Sequence, residues 1–102
     1  MTLATLKSYL DITWTDSGTD AKLQGILNRA EKILDDYAGK AIDFNDEQTP
    51  EAQLLLDCCR YIWNHALEDF KINYAAELLM LRAGRQAKDY ADSNATQADT
   101  DV

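Results

Sequence analysis

The sequence has 102 residues, 46% of them apolar and 27% charged, which suits one domain with one core and is too apolar for a disordered chain. Its formal charge is −8, from 18 acidic and 10 basic residues, a balance that argues against general affinity for nucleic-acid phosphates and for anionic membrane surfaces, although a basic patch can still sit on an acidic protein. One proline and four glycines leave room for long helices, and no run of about 20 apolar residues is present to span a membrane.

The first predicted helix runs from Leu3 to Leu10, with Thr2 as its N-cap and Leu3, Leu6 and Leu10 on one face. MTLATLKSYLDI lacks the continuous apolar core of a signal peptide, so a cytoplasmic protein is expected. Asp11 to Gly18 reads as a loop. Its one large apolar group, Trp14, either folds back onto the core, the preferred reading, or marks a contact surface.

The second helix follows, capped by Ser17 or Thr19, with Ser17 and Asp20 resembling a capping box. Leu23, Ile26, Leu27, Ala30, Ile33, Leu34 and Tyr37 form its apolar stripe. Gly39 is placed to end it in a left-handed conformation, and Gly25, in mid-helix, suggests a close helix–helix approach. Lys40 to Gln48 is an acidic connection that Ile42 and Phe44 are expected to pin to the core. Thr49-Pro50-Glu51 then starts a third helix: threonine caps, proline tolerates the first turn, and glutamate complements the dipole.

From Leu54 to Phe70 apolar residues cover most of the helix circumference, and Tyr74 to Leu81 repeats the pattern in a fourth helix reaching about Tyr90. Lys71-Ile72-Asn73 either bends the path between them or continues it. A helix that is apolar all round lies at the centre of a bundle or in a subunit interface. The expected fold is therefore all-α: a small bundle of four helices with a long central third helix over residues 1–90, and a flexible acidic tail over 91–102. The candidate interface comprises Leu54, Tyr61, Trp63, Leu67, Phe70, Tyr74, Leu78, Leu81, Arg82 and Arg85. Residues 41–70 carry seven acids and one base, whereas Lys71, Arg82, Arg85 and Lys88 outnumber two acids over 71–90. The basic strip of the last helix offsets its dipole or faces acids on a partner, such as the 41–70 segment of a second copy.

Sites for chemistry are sparse. Cys58 and Cys59 are adjacent, a poor geometry for a disulfide, and read as small apolar residues in a reducing compartment. The single histidine, His65, has Glu68 and Asp69 within a helical turn, a weak pair for a metal, and is read as structural or surface-exposed. Asp43, Asp46 and Glu47 lack the spacing and glycine of an EF-hand and read as a solvated loop. Arg60 and His65, as R-x4-H on a helix, resemble the motif of HEPN-type ribonucleases, in which histidine serves acid–base chemistry and arginine holds phosphate.

Two stretches carry a wider resemblance. TLATLKSYLDI followed by an acidic loop and DAKLQGILNRAEKILDDYAGK resembles the N-terminal half of the tailed-phage and prophage head–tail connector family, and LLLDCCRYIWNHALEDFKINYAAELLMLR resembles that family's long central helix and the helix after it. The resemblance spans about residues 2–88. It implies a non-enzymatic neck adaptor, without cofactor, that forms a homo-oligomeric ring on the portal protein, receives a downstream neck or tail protein, lets DNA pass without specific binding, and resides in the host bacterial cytoplasm and then in the virion neck. The alternatives are the HEPN-like ribonuclease using Arg60 and His65, and a small helical dimer of regulatory or antitoxin type.

Overall fold

The computed structural model describes residues 1–39 and 41–83. They form five helices and, among the described residues, no strand: α1 (Leu3–Tyr9), α2 (Ser17–Ala38), α3 (Pro50–Trp63), α4 (Leu67–Asn73) and α5, helical over 75–83. The all-α expectation is met. The tail over 91–102, Arg85, Lys88 and the end of the last helix lie outside the described residues.

Local chemistry fixes most helix ends. The Thr5 amide donates to Thr2 Oγ1 at 3.2 Å and caps α1. Glu47, in the acidic connection, strengthens this end by accepting from the Thr2 amide and from Thr5 Oγ1. At the other end Asp11 takes φ 58°; its amide donates to Ser8 O, and that of Ile12 donates to Lys7 O, a Schellman closure that buries Ile12. Asp16, not Ser17 or Thr19, caps α2: its carboxylate accepts from both the amide and the hydroxyl of Thr19. A carboxylate at the helix start gains from the dipole as well as from the hydrogen bond, so it displaces the neighbouring hydroxyls from that role.

Gly39 closes α2 at φ 80°, as expected. A Cβ at Gly25 meets nothing within 4 Å, so no helix approaches it closely. The two glycines therefore predict opposite outcomes. Gly25→Ala should raise stability by up to about 1 kcal/mol by favouring the helix. Gly39→Ala should cost about 1 kcal/mol, because alanine disfavours the left-handed region. Denaturation midpoints of the two variants should move in opposite directions.

The connection after α2 is held as its apolar residues suggest. Phe44 is buried and Ile42 half-buried, and the Ile42 amide donates to Asp35 Oδ1 at 2.9 Å. The Met1 ammonium donates to Phe44 O at 2.8 Å. Thr49 caps α3 with Pro50 in its first turn and Glu51 beside it. Asp43 and Asp46 accept the amides two residues ahead, so this acidic cluster shapes turns.

α3 is the central element, packed on α1, α2 and α4. Leu54, Leu55, Leu56, Cys58, Cys59 and Ile62 are all buried within the chain. Leu6, Leu23, Leu27, Ala30, Leu34 and Phe70 complete the core around it, and α5 adds Leu78 and Leu81. Lys7 and Asp20 join α1 to α2 across 2.9 Å.

The expected bundle of four helices has five, because the chain also breaks at Asn64–Ala66, and two further expectations are corrected. The third helix is not the long one: it has 14 residues against 22 in α2, because the chain turns at Asn64–Ala66 and the stretch expected as one helix to Phe70 becomes two. Trp14 does not fold back onto the core but stands 51% exposed, since Ile12 already anchors the loop.

Candidate functional site

The turn between α3 and α4 is the most specific local geometry in the chain. Asn64 ends α3, its amide and its side-chain Nδ2 both donating to Arg60 O at 3.0 Å. His65 adopts φ 58°. The His65 amide donates to Ile62 O at 3.0 Å and the Ala66 amide to Tyr61 O at 2.8 Å, the paired bonds of a Schellman motif. Three residues thus satisfy the carbonyls at the end of α3 and redirect the chain into α4. The expectation of a structural or exposed histidine is met, as His65 is exposed and supplies backbone geometry.

α4 is short and lacks a side-chain N-cap hydrogen bond. It is seated by Phe70, fully buried between Tyr61 of α3 and Tyr74, with ring centroids 5.7 and 4.8 Å away. Tyr61 and Tyr74 also meet edge-on at 5.7 Å. Glu68, Asp69, Ile72 and Asn73 face outward, and Lys71 pairs with Glu68 at 3.7 Å. Asn73 Nδ2 donates to Tyr61 Oη at 3.3 Å, tying the end of α4 back to α3.

Basic groups near the turn come mainly from α2. Lys22 Nζ lies 5.1 Å from the Trp63 ring centroid, and Arg29 borders an open hollow of about 400 Å³ with His65, Glu68 and Asp69. Arg60 Cζ sits 5.5 Å from the ring of Tyr61. Among the described residues no group of three or more histidine, cysteine or acidic side chains is placed to hold a metal ion. No described helix is long and apolar enough to cross a membrane.

The candidate interface residues divide by burial. Leu54, Phe70, Leu78 and Leu81 belong to the chain's own core, Tyr61, Trp63, Leu67 and Tyr74 pack half-buried against it, and Arg82 is exposed. Arg85 lies outside the described residues. Arg60 and His65 do not share a helix: Arg60 is in the last turn of α3 and His65 lies past its cap, which removes the one-helix geometry of the R-x4-H reading.

Residues 41–78 match a family model described as a helix-turn-helix domain, the one named for OrfB of IS605. The matched segment is a little over a third of the chain and contains α3, the Asn64–Ala66 turn and α4. The chain matches no curated protein and no solved structure with significance.

This match overturns the resemblance to phage and prophage head–tail connectors. The stretch read as that family's long central helix and its successor is broken into three, α3, α4 and α5, and its first two helices, about a tight turn, lie within the helix-turn-helix match. Helix lengths and apolar spacing recur across unrelated helical domains, so they supported the resemblance without specifying it. With it go the portal ring, the neck and tail partners, and the passage of DNA without specific binding.

Proposed function

We propose that the chain is a small helical regulatory module of the bacterial cytoplasm whose α3–α4 unit engages duplex DNA, acting by binding and not by catalysis. The observation that carries the reading is the coincidence of the helix-turn-helix match over 41–78 with two helices joined by a three-residue turn whose middle residue, His65, is left-handed.

Charge sets how such binding would work. Within 41–78 the acids Asp43, Asp46, Glu47, Glu51, Asp57, Glu68, Asp69 and Glu77 outnumber Arg60 and Lys71. Phosphate attraction must then come from outside the matched segment. The outer face of α2 supplies Lys22, Arg29 and Lys32, with Arg29 beside the turn. Three such contacts predict modest affinity and a log–log salt slope of about −3. Between about 50 and about 200 mM salt the affinity should fall roughly 40-fold.

Fluorescence anisotropy of a labelled duplex, titrated across that salt range, measures this. Arg29→Glu, at an exposed position, should weaken binding about tenfold without unfolding the chain. A folded chain that binds no duplex at low salt refutes the reading.

A further inference from the structure

α5 buries only one edge. Leu78 and Leu81 enter the core, while Leu79 and Met80 stand 69% and 71% exposed, and Ile72, at the end of α4, stands 73% exposed. On one flank of α5 lies an apolar trough of about 390 Å³, lined by Leu54, Tyr74 and Leu81 and rimmed by Glu51, Asp57 and Glu77. On the other flank a hollow of about 260 Å³ is lined by Tyr37, Leu78 and Leu79 and bordered by Lys71 and Arg82. A trough with an acidic rim, an aliphatic ridge and a basic border thus lie side by side on one short helix.

The acidic rim is opposite in sign to the basic border, and the ridge is apolar like the trough floor. We propose that this surface docks a second copy of the chain, α5 against α5, with Leu79 of each copy seated in the trough of the other and Arg82 reaching its acidic rim. A two-fold contact requires one patch to carry both halves of every interaction, and this patch does. An acidic trough also selects an apolar ridge bordered by cations, and α5 is itself such a ridge. The dimer does not depend on the DNA reading, since its face lies on α5 and the proposed phosphate contacts lie on α2.

Sedimentation velocity of the full chain without DNA, from about 10 to about 500 µM, tests the proposal. The expected result is a concentration-dependent species of twice the 11.5 kDa chain mass. Leu79→Asp should raise the dissociation constant at least about tenfold while leaving the circular dichroism melt of the monomer unchanged, because Leu79 is exposed. Arg82→Glu should weaken the dimer, and Arg82→Glu combined with Glu77→Arg should restore it. A monomer at every concentration overturns the proposal, as does a dimer that Leu79→Asp leaves intact, which would place the contact elsewhere or leave the trough to a basic peptide. Failure of the charge-swapped double variant to recover overturns the two-fold arrangement. Arg29→Glu should leave the dimer unchanged, so loss of DNA binding and loss of dimerisation are separable.

Discussion

Phe70→Ala is expected to lower stability by about 3–5 kcal/mol, the range for deleting a buried aromatic ring. Domains of this size carry about 5–15 kcal/mol in total, so the variant should be marginal. The placement of Phe70 argues for the upper end. Its side chain is fully buried, stacked at 25° on Tyr74 and tilted at 56° to Tyr61, so one ring joins α3, α4 and the approach to α5. α4 has only seven residues and no side-chain N-cap bond, too little to persist as an isolated helix. Once the ring is lost, α4 and α5 should loosen before α1–α3, whose own contacts are untouched. Amide exchange should accelerate first over 67–83, and denaturant unfolding should report the total loss. Phe70→Leu keeps most of the volume and should cost under about 1.5 kcal/mol. A loss below about 1 kcal/mol in Phe70→Ala would mean that something other than this ring seats the second half of the turn. The same variant should weaken the proposed dimer, since Leu79 and Arg82 are presented by α5.

The contrast between Gly39 and His65 shows what the sequence could reveal. Both residues end a helix in the left-handed region, at φ 80° and φ 58°. Glycine announces that geometry because it adopts it at little cost, so the end of α2 was legible. Histidine does not, so the end of α3 was hidden within an apolar run that continues through Leu67 and Phe70. The available signal was Asn64 followed by a polar residue, with Ala66 and Tyr61 spaced as the apolar pair of a Schellman closure. Asp11 concealed the end of α1 less, because the helix was already short. Thr2 and Thr49-Pro50-Glu51 were legible because a cap acts within four residues. The role of Glu47 at Thr2 and Thr5 was not, since it joins positions more than 40 residues apart.

The candidate site was legible only in part, for a related reason. Apolar coverage of α3 identified a central helix, and the structure covers most of its apolar side chains from the same chain, leaving Gln53 and Arg60 exposed. Covering by a partner and covering by one's own helices leave the same pattern of residues. What distinguishes them is which large apolar residues remain open once the chain has folded, and over residues 54–83 those are Ile72, Leu79 and Met80. In the sequence they are indistinguishable from Leu78 and Leu81 beside them.

Raising the pH from 8 to 11 is expected to cost the fold several kcal/mol, chiefly through its two thiols. Cys58 and Cys59 are free and fully buried, even though neighbouring helix positions point about 100° apart, because α3 is covered on several sides. A thiolate there would lose its hydration, and burial pushes both thiols up to about 12. In the unfolded chain a cysteine ionises near 8.5. A folded pKa above the unfolded one means that this stabilisation is complete below about pH 8.5 and is lost as the pH climbs toward 12. Within that window each thiol contributes a loss of about 1.4 kcal/mol per pH unit, so two approach the whole stability of a small domain by pH 11. Tyr9 acts in the same direction from about pH 10, its phenol raised to about 12 by burial and by its hydrogen bond to the Asp57 carboxylate. Denaturant midpoints measured from pH 7 to 11 should therefore fall steeply in the native chain. Cys58→Ala/Cys59→Ala should start lower at pH 7, because it opens small cavities, yet decline far less, leaving Tyr9 as the main remaining titration. Parallel declines in the two proteins would mean that the thiols already meet water in the folded state, and that α3 is less enclosed than its burial indicates.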